Sequence, residues 1–250
     1  GGAGDNAAGA VGVGVVRDGD ALLSLGTSGV IFVATAEFRP NPAGAVHAFC
    51  HCLPGMWHQM SVHLSAASCL DWAAGLMGID VPALLAAAEA AVPGPELFLP
   101  YLSGERTPHN DPHVRGAFLG LSNESDQGRL ALAVLEGVAF AHADGLAALQ
   151  AAGTQIEALS VIGGGARSRF WGAIIASALG VRLDYLDGGE VGPSLGAARL
   201  AEIAATGADP ATICIRPPVR ESVLPDPRLA ERLAPKLAKF RAAYPALKTL

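Results

Sequence analysis

The sequence predicts an α/β domain with a mixed sheet, antiparallel in its N-terminal part, and with flanking helices. Residues 21–35 read as two apolar strands joined by a Gly-Thr-Ser-Gly turn. Residues 156–187 read as strand, glycine-rich turn, helix and strand, which is a βαβ unit. The 250-residue chain is 51% hydrophobic and only 16% charged, so it is long and apolar enough for a substantial core.

The N-terminal part is predicted to start with a helix and continue as an antiparallel meander. Residues 5–15 read as a short helix or tight turn of small residues, packed closely against another element. Residues 44–64 add one or two strands, interrupted at the Pro-Gly pair 54–55. Two helices are then expected, the first with Ser65 as its N-cap.

The C-terminal part alternates helices with a strand unit. Residues 97–122 are rich in proline, glycine and charge, and are predicted to form a long ordered loop. Residues 126–153 read as a long helix, in which Gly137 and Gly145 indicate the close approach of another element. A further helix is predicted over 193–207, followed by a proline-broken and then amphipathic tail.

Composition and charge exclude several classes of protein. The formal net charge of −6 argues against nucleic acid as a partner. No apolar run is expected to reach membrane-spanning length, and no signal peptide is recognised, so a cytoplasmic protein is predicted. A P-loop is excluded because no lysine precedes Lys236. The chain starts with glycine inside a glycine-rich motif, which suggests a piece of a longer protein.

The cysteines invite a metal interpretation that the strand pattern disfavours. Cys50 and Cys52 flank His51, with His47 nearby. In an extended strand the two cysteines would share one face and His51 would lie on the other, so three ligands would not converge. We therefore predict no metal site, and reduced core cysteines instead.

A polar cluster in the long loop also has two interpretations. Residues 103–116 bring together acidic, basic and histidine side chains between prolines. A metal cage is conceivable, but the presence of both charge signs favours a loop that pairs with itself. We expect this cluster to be structural.

Two glycine-rich turns are candidates for phosphate or nucleotide binding. In residues 24–30, Thr and Ser between glycines offer N–H and O–H donors, although a plain hairpin turn would need the same glycines. In residues 161–168 a strand feeds three glycines that open a helix. The second turn also approaches a dinucleotide fingerprint, with Asp184 about 20 residues further on. Against a dinucleotide fold, Ser168 replaces the third glycine and the unit follows an antiparallel hairpin.

Four segments in order resemble the C-terminal half of the FGGY carbohydrate kinases. They are GDNAAGAVG, SLGTSGV, YLSGERTPHNDPHVRGAFLGL and GGGARSRFW, and the resemblance continues into the tail. One departure is Arg129, where the family usually has a polar acceptor or histidine. The resemblance implies an actin-like, ribonuclease-H-like ATPase fold over 1–250 as a single nucleotide-binding domain. It also implies a missing N-terminal domain that carries most sugar contacts.

The resemblance further implies roles for individual residues. Asp5 matches the catalytic base that accepts the proton of the sugar hydroxyl, and Asn6 would hydrogen-bond the sugar. Mg²⁺ would be bound mainly through phosphates and water, without a protein cage. The nucleotide-binding residues implied are Gly26, Thr27, Ser28 and Gly29 in the hairpin, and Gly164, Gly165, Ala166 and Arg169 along the adenosine.

The implied activity is ATP-dependent phosphorylation of a ketose, first of all D-xylulose at its 5-hydroxyl. The alternatives are another substrate of the same family, such as ribulose, fuculose or glycerol, and a non-catalytic nucleotide- or sugar-binding module. The isolated chain is expected to be inactive, since closure needs both domains. A small sugar, ATP and the missing domain are the expected partners, with neither nucleic acid nor membrane. The sequence is compatible with a homodimer but does not determine the oligomeric state.

Overall fold

The computed structural model describes residues 2–188 and 192–248, which form a mixed sheet with helices on both faces. The helices are α1 (Asp5–Gly12), α2 (Ser68–Met77), α3 (Val81–Ala90), α4 (Gln127–Ala151), α5 (Arg169–Leu179), α6 (Gly192–Thr206), α7 (Pro210–Ile213) and α8 (Pro227–Leu247). The strands are β1 (Ala21–Leu25), β2 (Gly29–Thr35), β3 (His47–Cys50), β4 (Trp57–His63), β5 (Leu97–Leu99), β6 (Ala117–Leu119), β7 (Ala158–Ile162), β8 (Arg182–Leu186) and β9 (Val219–Val223).

Seven strands of the described residues form the main sheet, in the order β3-β4-β2-β1-β7-β8-β9. β3, β4, β2 and β1 pair antiparallel, which confirms the predicted meander. β1, β7 and β8 pair parallel, and α5 connects β7 to β8, which confirms the predicted βαβ unit. The carboxyl ends of β1 and β7 therefore lie at the same edge of the sheet.

The small residues of α1 are explained by its position between the sheet and α6. All six residues 7–12 are buried. A Cβ on Gly9 would lie 3.5 Å from Ile162 of the sheet. On the other side, a Cβ on Gly196 would overlap the carbonyl oxygen of Ala8. Larger side chains would push α1 and α6 apart, so this sequence fixes a close helix–helix contact.

The long helix α4 is the core helix of the fold, and its glycines mark close contacts as predicted. A Cβ on Gly137 would overlap the carbonyl oxygen of Phe98, and one on Gly145 would lie 2.5 Å from His63 Nε2. The expectation that no apolar run reaches membrane-spanning length is wrong, because α4 is long and apolar enough. However, 89% of its apolar window is buried inside the fold, as in the core helix of a globular domain.

The C-terminal helix α8 is held on α4 by buried carboxylates. Lys236 Nζ contacts Glu136, a residue only 1% exposed, and Arg241 Nε lies 2.5 Å from Asp144 Oδ1. The apolar face predicted for the tail packs into the core through Leu233, Phe240 and Tyr244. Long-range ion pairs therefore fasten the last helix to the centre of the domain.

Three local predictions are corrected. Ser65 is not a helix cap, because α2 begins at Ser68 and its N-cap residue is Ala67, which makes no side-chain capping bond. The segment 97–122 is not loop throughout, since β5 and β6 pair within it. The tail contains β9, which extends the sheet beyond β8. Each missed element depends on a partner that is distant in the sequence.

Candidate active site

The hairpin turn between β1 and β2 presents free donors at the carboxyl edge of the sheet. Its carbonyl groups point towards the start of α2: the Thr27 carbonyl accepts from the Ala66 N–H at 2.9 Å and from Ser68 Oγ at 2.8 Å. Thr27 and Ser28 are exposed. In the described part of the chain, their N–H groups and hydroxyls find no acceptor. This arrangement is suited to binding an anion such as phosphate.

The second glycine-rich turn lies directly beside the hairpin. Gly163 adopts φ +90°, and a Cβ there would lie 2.7 Å from the carbonyl oxygen of Leu25, the last residue of β1. A Cβ on Gly165 would lie 2.7 Å from the Trp171 ring and 2.8 Å from Leu25 Cβ. Only glycine fits these two positions, whereas Gly164 faces open space. The two turns thus form one continuous backbone surface.

The side chain of Arg169 is held next to this surface by three contacts. Its Nε lies 2.6 Å from Glu221 Oε2, its Nη1 donates to the Ala166 carbonyl, and its guanidinium stacks 3.7 Å from the Tyr185 ring. These contacts tie the start of α5 to β8 and β9. Arg169 therefore supports the backbone of the turn, in addition to any contact with a ligand.

Asp5 stands at the open end of the buried helix α1. It is exposed, it is the first residue of α1, and Gly4 occupies the N-cap position. Its Oδ1 accepts from the backbone N–H of Asn6 at 2.9 Å and from Asn6 Nδ2 at 3.3 Å. A carboxylate in the first turn of a helix is also favoured by the helix dipole. Asp5 is thus oriented locally while its Oδ2 remains accessible.

A cleft of about 380 Å³ opens in front of Asp5 and Asn6. Its far wall comes from β3 and β4 and includes Phe49, His58 and Met60. Ala7 of α1 packs in the same apolar cluster as Val30, the residue that follows the hairpin glycine Gly29. The first turn of α1 therefore packs on the same apolar cluster as the start of β2.

The histidines near the cleft are held in the neutral form. Burial, followed by the proximity of His51 and His47, lowers the pKa of His58 to about 4. Burial lowers the pKa of His51, and burial together with the Arg106 charge lowers that of His47. Each bears no charge near pH 7, and His58 is the one that lines the cleft, so Asp5 faces an uncharged imidazole there.

The alternative dinucleotide interpretation fails at Asp184. This residue is 1% exposed and its carboxylate is bonded to Arg182, Arg216 and Ser222. Burial raises its pKa, but these hydrogen bonds outweigh burial and hold the pKa below its ordinary value. An acidic side chain that is buried and fully engaged cannot bind a ribose hydroxyl.

The cysteine and histidine residues form no metal centre within 2–188 and 192–248, where no group of three potential ligands converges. Cys69 and Cys214 are buried as expected for core cysteines. Cys50 is exposed at the end of β3, an edge strand of the sheet, and Cys52, which follows that strand, is half-buried, so the prediction of core cysteines is wrong for these two.

The polar loop cluster does pair with its own surroundings. Glu105 Oε1 accepts from the backbone N–H groups of Leu64 and Arg106, and its Oε2 lies 3.2 Å from His63 Nδ1. Asp111 accepts from Tyr244 OH of α8 at 3.0 Å. This loop therefore joins β4 and α8, which supports its structural interpretation.

The fold is that of an α/β domain of the actin-like ATPase class. The model of the FGGY family of carbohydrate kinases, C-terminal domain, matches residues 21–205. The chain is 52% identical over 254 residues to the xylulose kinase of Escherichia coli K12, covering 100% of this chain and 52% of the relative. The chain therefore belongs to the FGGY family, and it spans about half the length of the curated relatives it matches.

Solved structures support the same assignment. A xyloylose kinase from Brucella ovis superposes with a TM-score of 0.95 at 50% identity, covering 99% of this chain and 52% of that one. The xylulose kinase of Rhodospirillum rubrum superposes with a TM-score of 0.85 at 31% identity, covering 100% and 51%. The predicted fold class is thereby confirmed.

Two features of the site were missed at the level of sequence. The aromatic wall of the cleft depends on the pairing of Phe49 with His58 between β3 and β4. The support of the hairpin carbonyls by the start of α2 depends on a contact 39 residues apart, between Thr27 and Ala66. Alternation of apolar residues in 45–52 was the available signal for the first, but it does not reveal which strand lies opposite.

Proposed function

We propose that this chain is the C-terminal, nucleotide-binding half of a cytoplasmic ATP-dependent kinase that phosphorylates D-xylulose at its 5-hydroxyl. The similarity to xylulose kinases supports the substrate class. The observation that carries the proposal is the position of Asp5, which is exposed at the open end of an otherwise buried helix and faces a cleft. A carboxylate placed in this way can accept a proton from a bound hydroxyl.

In the proposed reaction the sugar hydroxyl attacks the γ-phosphorus of ATP. The new O–P bond forms as the bond from the γ-phosphorus to the bridging oxygen of ADP breaks, and the hydroxyl proton passes to Asp5 Oδ2. Asn6 holds Oδ1 of Asp5 and binds the sugar. Phosphoryl transfer depends mainly on positioning and on charge stabilisation, so an ordinary carboxylate is sufficient as the base.

The two glycine turns would bind the nucleotide. The exposed donors of Thr27 and Ser28 suit phosphate oxygens, and the bare backbone of Gly164 and Gly165 leaves room for the adenosine. Bound Mg²⁺ would neutralise phosphate charge. Since no protein cage for a metal is formed in the described residues, the ion would be held through the phosphates and water.

The test is Asp5→Asn in the two-domain protein, with ADP release measured as a function of D-xylulose and ATP concentration. The Asn side chain can keep the local hydrogen bond to the Asn6 N–H, so the fold should be retained. We expect kcat to fall by about 100-fold or more, while the KM for ATP stays within about two-fold because Asp5 lies outside both glycine turns.

Glu89→Gln is the matched control, because it also removes an exposed carboxylate but lies on α3. It should leave kcat unchanged. Near-normal turnover of Asp5→Asn would contradict the proposed role of Asp5 as the general base. A panel of ribulose, fuculose and glycerol beside D-xylulose identifies the substrate, and a higher kcat/KM for one of these would assign the chain to a sister kinase.

A further inference from the structure

Phe49 is an exposed aromatic side chain at the mouth of the cleft that contains Asp5. It lies on the edge strand β3, and 51% of its surface is exposed. Exposed apolar side chains that line a concave site often contact a ligand. The Phe49 ring therefore differs from a surface residue that simply faces solvent, because it lines the same cleft as an exposed carboxylate.

The position of the ring is fixed by its neighbours. Phe49 pairs with His58 of β4, and the two ring centroids lie 5.8 Å apart at an interplanar angle of 57°. Two residues earlier on the same strand, the ring of His47 has its centroid 5.5 Å from that of Phe49, at an interplanar angle of 69°. His58 in turn stacks on the buried ring of Phe32 at 4.5 Å. This series of ring contacts joins the exposed Phe49 to the core of the domain.

The rest of the wall is apolar or uncharged. Met60 adds a thioether beside the ring, and His58 is neutral near pH 7. No lysine or arginine is among the described residues that line this cleft. The carboxylate and amide groups of the cleft therefore come from Asp5 and Asn6 of α1, whereas Phe49 belongs to β3.

This two-sided cleft matches the chemistry of a sugar chain. Hydroxyl groups of a ketose bind carboxylate and amide groups, while its C–H bonds, polarised by the attached oxygens, favour the electron-rich face of an aromatic ring. A cleft of about 380 Å³ falls within the range of small-ligand sites, roughly 300–1,000 Å³. We propose that Phe49 is a specificity-determining residue that packs against the C–H face of the ketose bound at Asp5 and Asn6. This inference rests on the proposed kinase function.

The test compares Phe49→Ala, Phe49→Tyr and Phe38→Ala with the unsubstituted two-domain protein. Phe38 is a matched control, since it is also 51% exposed, but its ring lies against Trp57 and it does not line the cleft. Steady-state ADP release gives kcat and both KM values, and calorimetry gives the Kd for D-xylulose without ATP.

Loss of the ring face in Phe49→Ala should raise the KM and Kd for D-xylulose by about ten-fold, the upper range for one aromatic contact. The KM for ATP should be unchanged, Phe49→Tyr should remain within about three-fold of the original protein, and Phe38→Ala should show no effect. An unchanged sugar KM in Phe49→Ala, or an equal rise in Phe38→Ala, would overturn the proposal.

These outcomes separate this inference from the proposed function. If the unsubstituted protein neither binds nor phosphorylates any ketose, the kinase proposal fails and the role of Phe49 fails with it. If the unsubstituted protein is an active ketose kinase and Phe49→Ala has the same sugar KM, only the role of Phe49 is overturned. If Phe49→Ala does not fold, Phe49→Leu removes the ring face while keeping apolar bulk and should still raise the sugar KM.

Discussion

Replacing His58 with glutamine should reduce the loss of stability that the domain suffers in acid. In the native state burial and the nearby histidines lower the pKa of His58 from 6.5 to about 4. In the unfolded state the imidazole is solvated and takes up its proton near pH 6.5. Below pH 6.5 the unfolded state therefore binds more protons than the native state. The His58 contribution is fully retained above pH 6.5 and declines as the pH falls from 6.5 towards 4.

The magnitude follows from proton linkage. For one group with native pKa about 4 and unfolded pKa 6.5, the free energy of unfolding should fall by about 2 kcal/mol between pH 7 and pH 5. His58 is only 6% exposed, so solvent screening should reduce this value little. Other histidines with lowered pKa values, including His142, add to the acid sensitivity of the unsubstituted protein in the same direction.

The assay is urea unfolding followed by tryptophan fluorescence at pH 7, 6 and 5. His58→Gln should lose about 2 kcal/mol less than the unsubstituted chain between pH 7 and pH 5, whatever its stability at pH 7. His113→Gln, which removes an exposed imidazole, serves as the control and should follow the unsubstituted chain. Parallel curves for His58→Gln and the original chain would refute the argument that His58 is buried in its neutral form.

Two further substitutions test buried polar groups. Lys236→Met should lower the free energy of unfolding by about 2–4 kcal/mol, because Glu136 loses its closest cation, and adding Glu136→Gln should recover most of that loss in urea titrations. His142→Leu should leave Tm unchanged or raise it by a few degrees in calorimetry, since neither imidazole nitrogen has a partner among the described residues. A drop of more than about 5 °C would contradict the view that these nitrogens are unsatisfied.

Much of the fold was predictable because its signals are local. The hairpin glycines at 26–29, the strand–turn–helix pattern at 158–179 and the apolar spacing of 126–153 each specify an element without reference to distant residues. The glycines Gly137 and Gly145 also predicted close packing correctly, although the sequence alone does not name Phe98 and His63 as the neighbours.

What was missed depends on pairing across the chain. The residues of β9 are exposed or half-buried, so they carry no apolar strand pattern. The pairing of β9 with β8 stabilises it as a strand. Ser65 has the chemistry of a cap, but the bonds from the Ala66 and Ala67 N–H groups to the hairpin carbonyls shift the helix start to Ser68. Tertiary hydrogen bonds thus override a local preference, because they satisfy four backbone groups at once.

The glycine and alanine residues of the N-terminal motif acquire their meaning from the same tertiary packing. α1 can carry Asp5 to the cleft because Gly12 lets it lie against the backbone of Gly192 of α6, where a Cβ would overlap the Gly192 carbonyl oxygen. Arg199 then fixes the other end of α1 by donating to the carbonyls of Val11 and Gly12, both at 2.9 Å. The motif therefore combines the proposed catalytic carboxylate with a set of small residues that determine its position. A bulky residue at Gly9 or Gly12 would displace Asp5 but would leave its carboxylate chemically unchanged. Substitution of these small residues would therefore act on the position of the carboxylate.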